Sequence, residues 1–381
     1  MTDQSQKALL PAGLRDVLPP DAAAEARVME TLMASFAAHG YARVSPPLVE
    51  FEETLLEEAG AGMANKTFRV MDPVSQRMMG VRPDMTLQVA RIARTRLLDA
   101  PRPLRLCYGG QVLRVVGSQL RPEREFAQAG VELIGSAAVN ADLEVIQLAV
   151  EALQGIGVAN LSIDLNLPIV VPAVCEDLGL ECGRGSPLRD MLDHKDVTAV
   201  TALGGKPAKV LGALLAATGP VDRALGLLQK IALPKPAAAE RARLVEVAER
   251  LADLSPDVGM TVDAVENRGF EYQSGLSFTF FALDVRGSLG RGGRYAAGEK
   301  EPATGFTLFL DSVQRALSPA PPSGSLYLSF GTSAVEGARL RQEGRVTVAA
   351  LEDGGDPQAE AKRLGCTHFY VAGKVMPVKK S

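Results

Sequence analysis

The sequence predicts an α+β protein: an antiparallel sheet flanked by helices, interrupted by a helical insertion and followed by a small α/β unit. Three observations predict it. Segments with period-two patterning come as a hairpin-linked pair, "RLCYGGQVLRVV" and then "REFAQAGVELIG", rather than singly between helices. Residues from about Asn166 to Pro256 turn rich in Ala, Leu and Gly with helical spacing, as in "PAAAERARLVEVAERLADL". Last, the Pro-rich stretch "SPAPPSGS" breaks the chain before a short run that spells strand, helix, strand, helix, strand.

The elements follow in order. In "LPPDAAAEARVMETLMASFAAHG" Asp21 is the candidate N-cap, Val28, Leu32 and Phe36 recur at i, i+4, and Gly40 marks the stop, so the segment predicts an amphipathic helix. "YARVSPPLVEFEE" predicts a short strand broken at Pro46-Pro47, because proline cannot donate to a ladder. "DMTLQVARIARTRLL" predicts a second helix with Met85, Val89 and Ile92 on one face and Arg91, Arg94 and Arg96 elsewhere. The hairpin pair comes next, joined by the polar "GSQLRPE". After the helical insertion the sheet pattern resumes with "GLSFTFFALDV" and ends in the helix "LDSVQRAL". The division expected is a core over 1–317 with its insertion about 166–256, a linker over 318–325, and a unit over 326–381 too small to stand easily alone.

Composition narrows the function classes. With 46% hydrophobic and 23% charged residues the chain is an ordinary globular one, and a net charge of −4 supplies no field toward nucleic acid. The opening "MTDQSQKALLPAGL" lacks a leader pattern and no apolar run approaches membrane-spanning length, so a cytosolic protein with no membrane partner is expected. Cys107, Cys175, Cys182 and Cys366 with His39, His194 and His368 are too scattered for a ligand set, so no metal and no other cofactor is expected.

Chemistry concentrates on "EFAQAGVELIG". A period of two puts Phe126, Gln128, Gly130 and Glu132 on one face and Ala127, Ala129, Val131 and Leu133 on the other. The second face is plain core. The first carries an amide and a carboxylate around a glycine, and the neighbouring strand contributes Arg114. Such groups could hold the ammonium and carboxylate of an amino acid; they could equally form a solvated face with an Arg–Glu cross-strand pair. "GSLGRGGRY" matches no phosphate-loop spacing and reads as a turn between strands. "NRGFEYQSG" places Arg268 just before an apolar strand.

In order, these pieces resemble the histidyl-tRNA synthetase family, of class II synthetase fold. "PAGLRDVLPPDA" with "GYARVSPPLVE" is similar to that family's opening and motif 1, and "VRPDMTLQVAR" to its Arg-Pro-Glu-Gly-Thr segment. The hairpin pair resembles motif 2, "NRGFEYQSG" and "GRGGRY" the histidine-recognition stretches, and "ATGFTLFLDSV" motif 3. The resemblance runs from about Leu10 to Leu317 and implies a histidine pocket of Asp84, Thr86, Arg114, Gln128, Glu132, Arg268 and Tyr272. Asp84 replaces the family's glutamate, and Gln273 replaces the tyrosine after Tyr272.

On the ATP side the departures are larger. The motif 2 glutamate position is Val116, and the Glu-Arg that ends motif 3 reads Asp311-Ser312. Serine cannot supply a fixed guanidinium fork, and phosphoryl chemistry depends on such preorganised charge. The pattern resembles a paralogous, non-charging branch, the regulatory subunits of ATP phosphoribosyltransferase. That likeness implies a chain with no catalytic residues of its own, a short catalytic subunit as partner in a hetero-octamer, a homodimer through the core, and L-histidine as effector. It also implies that the last domain is a shortened anticodon-binding domain from which no tRNA binding is expected. A synthetase-like enzyme, or a sensor of tRNA or amino acid, is the alternative.

Overall fold

The computed structural model describes residues 9–57, 63–117, 121–183, 185–266, 273–298, 301–318 and 324–379. Two compact units divide at Ser318/Pro319. Most of the Pro-rich linker lies outside the described residues, as do Arg268 and Tyr272.

Helix α1 (Asp21–Ala38) buries Val28, Leu32 and Phe36 as its spacing requires. Asp21 is its first helical residue rather than its cap: Pro20 precedes it, and no side chain caps the end. A carboxylate in the first turn still suits the positive end of the helix dipole. Two residues of β1 (Ala42–Arg43) follow, then β2 (Val49–Phe51), α2 (Glu52–Leu56), β3 (Phe68–Met71) and β4 (Met78–Val81). Strands β2, β4 and β3 form a small sheet of their own, since Pro46-Pro47 ends the first strand.

Helix α3 (Thr86–Thr95) leads into the hairpin of β5 (Leu104–Leu113) and β6 (Glu125–Ile134), paired antiparallel from Leu104↔Ile134 to Leu113↔Glu125. Helix α4 (Val139–Gly155) and β7 (Leu161–Asn166) come next. The segment that follows is mostly helical: α5 (Val170–Leu178), α6 (Pro187–Asp193), α7 (Val197–Ala202), α8 (Gly205–Ala216), the two-residue β8 (Gly219–Pro220), α9 (Val221–Leu228) and α10 (Lys235–Leu254). It returns through β9 (Gly259–Asp263) to β10 (Gln273–Ala282), β11 (Gly290–Ala297), β12 (Glu301–Phe309) and α11 (Leu310–Ala316).

Among the described residues the main sheet runs β1-β5-β6-β12-β11-β10-β7-β9-β8. Its centre is antiparallel, but β1 joins β5 and β9 joins β7 in parallel, so the sheet is mixed rather than purely antiparallel. The parallel β7–β9 pair has a physical reason: the helical segment between them is the long crossover that parallel neighbours need. "GRGGRY" is not a turn but the body of β11. Glycine is required there by close approach, because a Cβ on Gly292 would lie 2.3 Å from the Gly305 carbonyl and 2.4 Å from the Phe278 ring.

Both faces of β6 are buried. Ala127, Ala129, Val131 and Leu133 pack in a core with Leu32 and Phe36 of α1 and Ile146 of α4. The opposite face carries Phe126 and Ile134, packed with Met85, Val89, Ala90 and Ala93 at and along α3. Each of the larger side chains among them, such as Leu133 or Phe126, contributes about 1.5–3 kcal/mol when fully withdrawn from water. A polar group on that second face is therefore held between a sheet and a helix, away from solvent.

The second unit has β13 (Ser325–Leu328), α12 (Ala334–Gln342), β14 (Val346–Ala349), α13 (Pro357–Arg363) and β15 (His368–Val371), with sheet order β14-β13-β15-β16. The fourth strand, β16 (Lys374–Pro377), goes beyond the sequence expectation. It pairs antiparallel with β15 through a tight turn at Ala372 and Gly373, both at positive φ.

Candidate functional site

Glu132 sits in the middle of β6 with 1% of its surface exposed. Its neighbour across β12 is Gly305, and across β5 it is Leu106. The glycine is obligatory: a Cβ at 305 would stand 1.9 Å from Glu132 Oε2. Gly130, two residues before, faces Tyr108 of β5, whose ring fills the space a side chain would take, 2.5 Å from the ideal Cβ. The two glycines create the room in which one acid and one tyrosine lie side by side.

Hydroxyls hold that acid. Tyr108 donates to Glu132 Oε1 at 3.1 Å, and Tyr295 of β11 donates to Oε2 at 2.8 Å. The Tyr108 hydroxyl also lies 2.8 Å from Thr307 Oγ1 and 3.1 Å from Thr86 Oγ1. Burial pushes the Glu132 carboxyl up to about 8; the tyrosine and threonine hydroxyls pull it partly back, and the nearby Asp84 adds a smaller upward push. The Tyr108 hydroxyl is raised far above its ordinary value, chiefly by burial.

Asp84 lies just before α3, where its Oδ1 accepts from the Thr86 amide at 3.0 Å. Gln128 Nε2 donates to Asp84 Oδ2 at 3.1 Å. Gln128 is 0% exposed, yet its Oε1 has no hydrogen-bond donor among the described residues. A buried acceptor left so is expensive, and a group that donates to it would relieve the cost.

Of the residues the sequence singled out, Asp84, Thr86, Gln128 and Glu132 are brought together. Arg114 joins them from one side only: the paired register ends at Leu113, and its guanidinium lies 3.9 Å from Asp84 Oδ2 while Nε donates to the Pro83 carbonyl at 3.1 Å. No Arg114–Glu132 cross-strand pair forms, and the face is buried, so the solvated-face alternative is overturned. Sequence reasoning missed Tyr108, Tyr295 and Thr307. Gly130 was the available signal, since a mid-strand glycine often faces a large cross-strand side chain.

The neighbouring half of the site is built differently. Ser312, in the first turn of α11, is 0% exposed and accepts from Arg121 Nη2 at 2.9 Å and from Arg315 Nη2 at 3.0 Å. Arg121 also lies 3.2 Å from Asp311 Oδ2, donates to the Ser288 carbonyl at 3.1 Å, and stands 3.8 Å above the Phe309 ring. Burial lowers its pKa to about 10; Asp311 opposes the shift, and Arg114, Arg291 and Arg315 add to it. Thus a guanidinium does occupy the space beside residue 312, but it comes from the loop between β5 and β6 and is spent on internal partners. Val116 is 64% exposed and takes no part. No group of three or more potential metal ligands occurs among the described residues.

A family model described as histidyl-tRNA synthetase matches residues 13–313. The chain is 55% identical over 373 residues to the ATP phosphoribosyltransferase regulatory subunit of Rhodospirillum centenum, covering 98% of this chain and 97% of that one. It is 56% identical to the protein of the same name from Paramagnetospirillum magneticum, with 97% of both chains covered. The chain belongs to the ATP phosphoribosyltransferase regulatory subunit family.

Solved structures agree on the fold of this family member. An ATP phosphoribosyltransferase regulatory subunit/histidyl-tRNA synthetase from Bacillus halodurans superposes with a TM-score of 0.79 at 27% identity, over 93% of this chain and 96% of that one. The ATP phosphoribosyl transferase complex from Thermotoga maritima includes a chain with TM-score 0.58 at 19% identity, covering 75% of this chain and 97% of that one, which speaks to fold alone.

Proposed function

We propose that this family member carries no adenylation activity of its own, that it joins a short catalytic ATP phosphoribosyltransferase subunit, and that it holds L-histidine between β5, β6 and α3 as the feedback effector. The observation that carries the reading is the contrast around residue 312. The half with Asp84, Gln128 and Glu132 is a buried set of acids and an amide, with Gln128 Oε1 lacking a donor among the described residues, and the half with Asp311 and Ser312 holds Arg121 against its own carboxylate and hydroxyl.

An amino acid answers the first half chemically. Its ammonium group offers donors to Asp84 Oδ2 and Gln128 Oε1, the imidazole nitrogen meets the Glu132–Tyr295 pair, and Arg114 stands by for the carboxylate. Arg268 and Tyr272 complete the proposed set. A ligand that ties the β5–β6 hairpin to α3 in one state of an assembly, and not in another, shifts the assembly between them. A homodimer through the first unit and a hetero-octamer with the catalytic subunit are the proposed assembly; the second unit is proposed as a shortened relative of an anticodon-binding domain without that role.

The test is phosphoribosyl-ATP formation by a short catalytic subunit from the same organism, with and without this chain, followed by a histidine titration. Activity that appears only with the chain and falls with histidine is expected. A chain that neither stimulates nor forms a complex, or that exchanges pyrophosphate with ATP when given histidine, sinks the proposal.

A further inference from the structure

Two of the four cysteines meet at a chain reversal that no part of the site uses. Cys175 lies in α5 and is 1% exposed. Helix α5 stops at Gly179, which adopts the left-handed conformation with φ 64°, and the Leu180 amide donates back to the Cys175 carbonyl at 2.8 Å. The reversal lays the following residues along the helix, where Cys182 Sγ comes within 3.9 Å of the Val171 carbonyl oxygen. In an α-helix that carbonyl is aimed at the amide of residue 175, so both sulfurs share one turn. The Cys182 thiol is near enough to Cys175 to raise the pKa of the Cys175 thiol. Leu178, Leu180 and the half-buried Cys182 pack on the same core as Cys175, which fixes the approach.

We propose that Cys175 and Cys182 form a reversible disulfide across this turn, with a low-molecular-weight disulfide as the oxidant. Cys182, the more exposed of the pair, reacts first. Its thiolate attacks one sulfur of the external disulfide, that S–S bond breaks, and one small thiolate leaves. The Cys175 thiolate then attacks Cys182 Sγ, the internal S–S bond forms, and the second small thiolate leaves. The two protein thiol protons pass to solvent, and two electrons have moved from the protein to the oxidant. Burial, with the neighbouring Cys182 thiol, pushes the Cys175 thiol up to about 12, so closure is the slow step and quickens as pH rises. Cys107 instead donates to the Tyr41 carbonyl, and Cys366 belongs to the second unit.

The test uses the full chain incubated with oxidised glutathione, alkylated in denaturant and cleaved after glutamate, since Glu176 and Glu181 separate the two cysteines. Alkylatable thiols are expected to fall from four to two, with the Cys175 and Cys182 fragments joined until dithiothreitol is added. Closure is expected to be about tenfold faster per unit of pH in the neutral range. Cys182→Ser abolishes the link and Cys107→Ser leaves it. Accumulation of Cys182 as a stable glutathione mixed disulfide, or four thiols that stay free, overturns the proposal.

Discussion

Two neighbouring regions of one sheet face differ in the groups they bury, acids in one and a guanidinium in the other. Around Glu132, two acids and an amide are met by hydroxyls and two amide hydrogen bonds, with Arg114 beside Asp84, and Gln128 Oε1 has no donor among the described residues. Around Ser312, a guanidinium lies against a carboxylate, a hydroxyl, a carbonyl and a ring, while Asp311 Oδ1 has no hydrogen-bond donor among the described residues. The same burial therefore has opposite consequences. An unmet buried acceptor favours a ligand that brings donors, whereas a buried charge with internal partners favours the protein as it stands. The lesson is that a serine at position 312 does not leave the site without a guanidinium. Arg121 instead reaches Ser312 and Asp311 from the β5–β6 loop.

The comparison breaks most visibly at Arg121. Arg121→Ala leaves Asp311 buried with Arg315 as its remaining cation among the described residues, and unfolding in urea is expected to show a loss of about 3–5 kcal/mol. Histidine binding by calorimetry should persist at temperatures where this variant is folded; its loss would mean the two halves are one unit.

Next in size is a pH dependence. The folded-state value of Glu132, about 8, lies above its ordinary 4.5, so in that window the native state holds a proton that the unfolded state has released. Stability from this group is complete below about 4.5 and declines as pH rises through 8, by at most a few kcal/mol, and then levels off. Urea melts from pH 5 to 9 should show the decline, and Glu132→Gln should flatten it. Equal slopes in both proteins would remove the picture of a desolvated acid.

Gly305→Ala sharpens the contrast from the other side. The added methyl meets Glu132 Oε2 and the Val131 carbonyl, so thermal unfolding should reveal a loss of about 1–3 kcal/mol, with histidine affinity lowered because the acid must move. Smallest is Ser312→Ala, which removes one acceptor shared by Arg121 and Arg315 and is expected to lower stability by about 1 kcal/mol with histidine binding unchanged. A large fall in affinity there would show that the Ser312 half reaches the ligand after all.

Much of this was legible beforehand. Alternation over "EFAQAGVELIG" assigned Gln128 and Glu132 to one face and a hydrocarbon face to the other, because a strand has no freedom to do otherwise. The helix carrying Val89 followed from its spacing in the same way. What periodicity alone could not supply was contact between distant segments. "GRGGRY" looks like a turn because glycine is usual in turns, but here it lets β11 pass close to Phe278 and Gly305. Tyr108 and Tyr295 carry no mark that their hydroxyls converge on Glu132, since β5, β6 and β11 are assembled only in the sheet. Arg121 looked like one more charge in a polar loop.

By itself, then, the sequence determined which chemical groups exist and which are missing: an acid and an amide on one strand face, and no guanidinium at position 312. Those are local facts, set by period and residue type. Tertiary structure alone decided that the acid is desolvated, that two tyrosines from separate strands grip it, and that an arginine from the β5–β6 loop donates to Ser312. Desolvation and pairing depend on what lies across the sheet, and no linear pattern encodes the neighbour that folding brings.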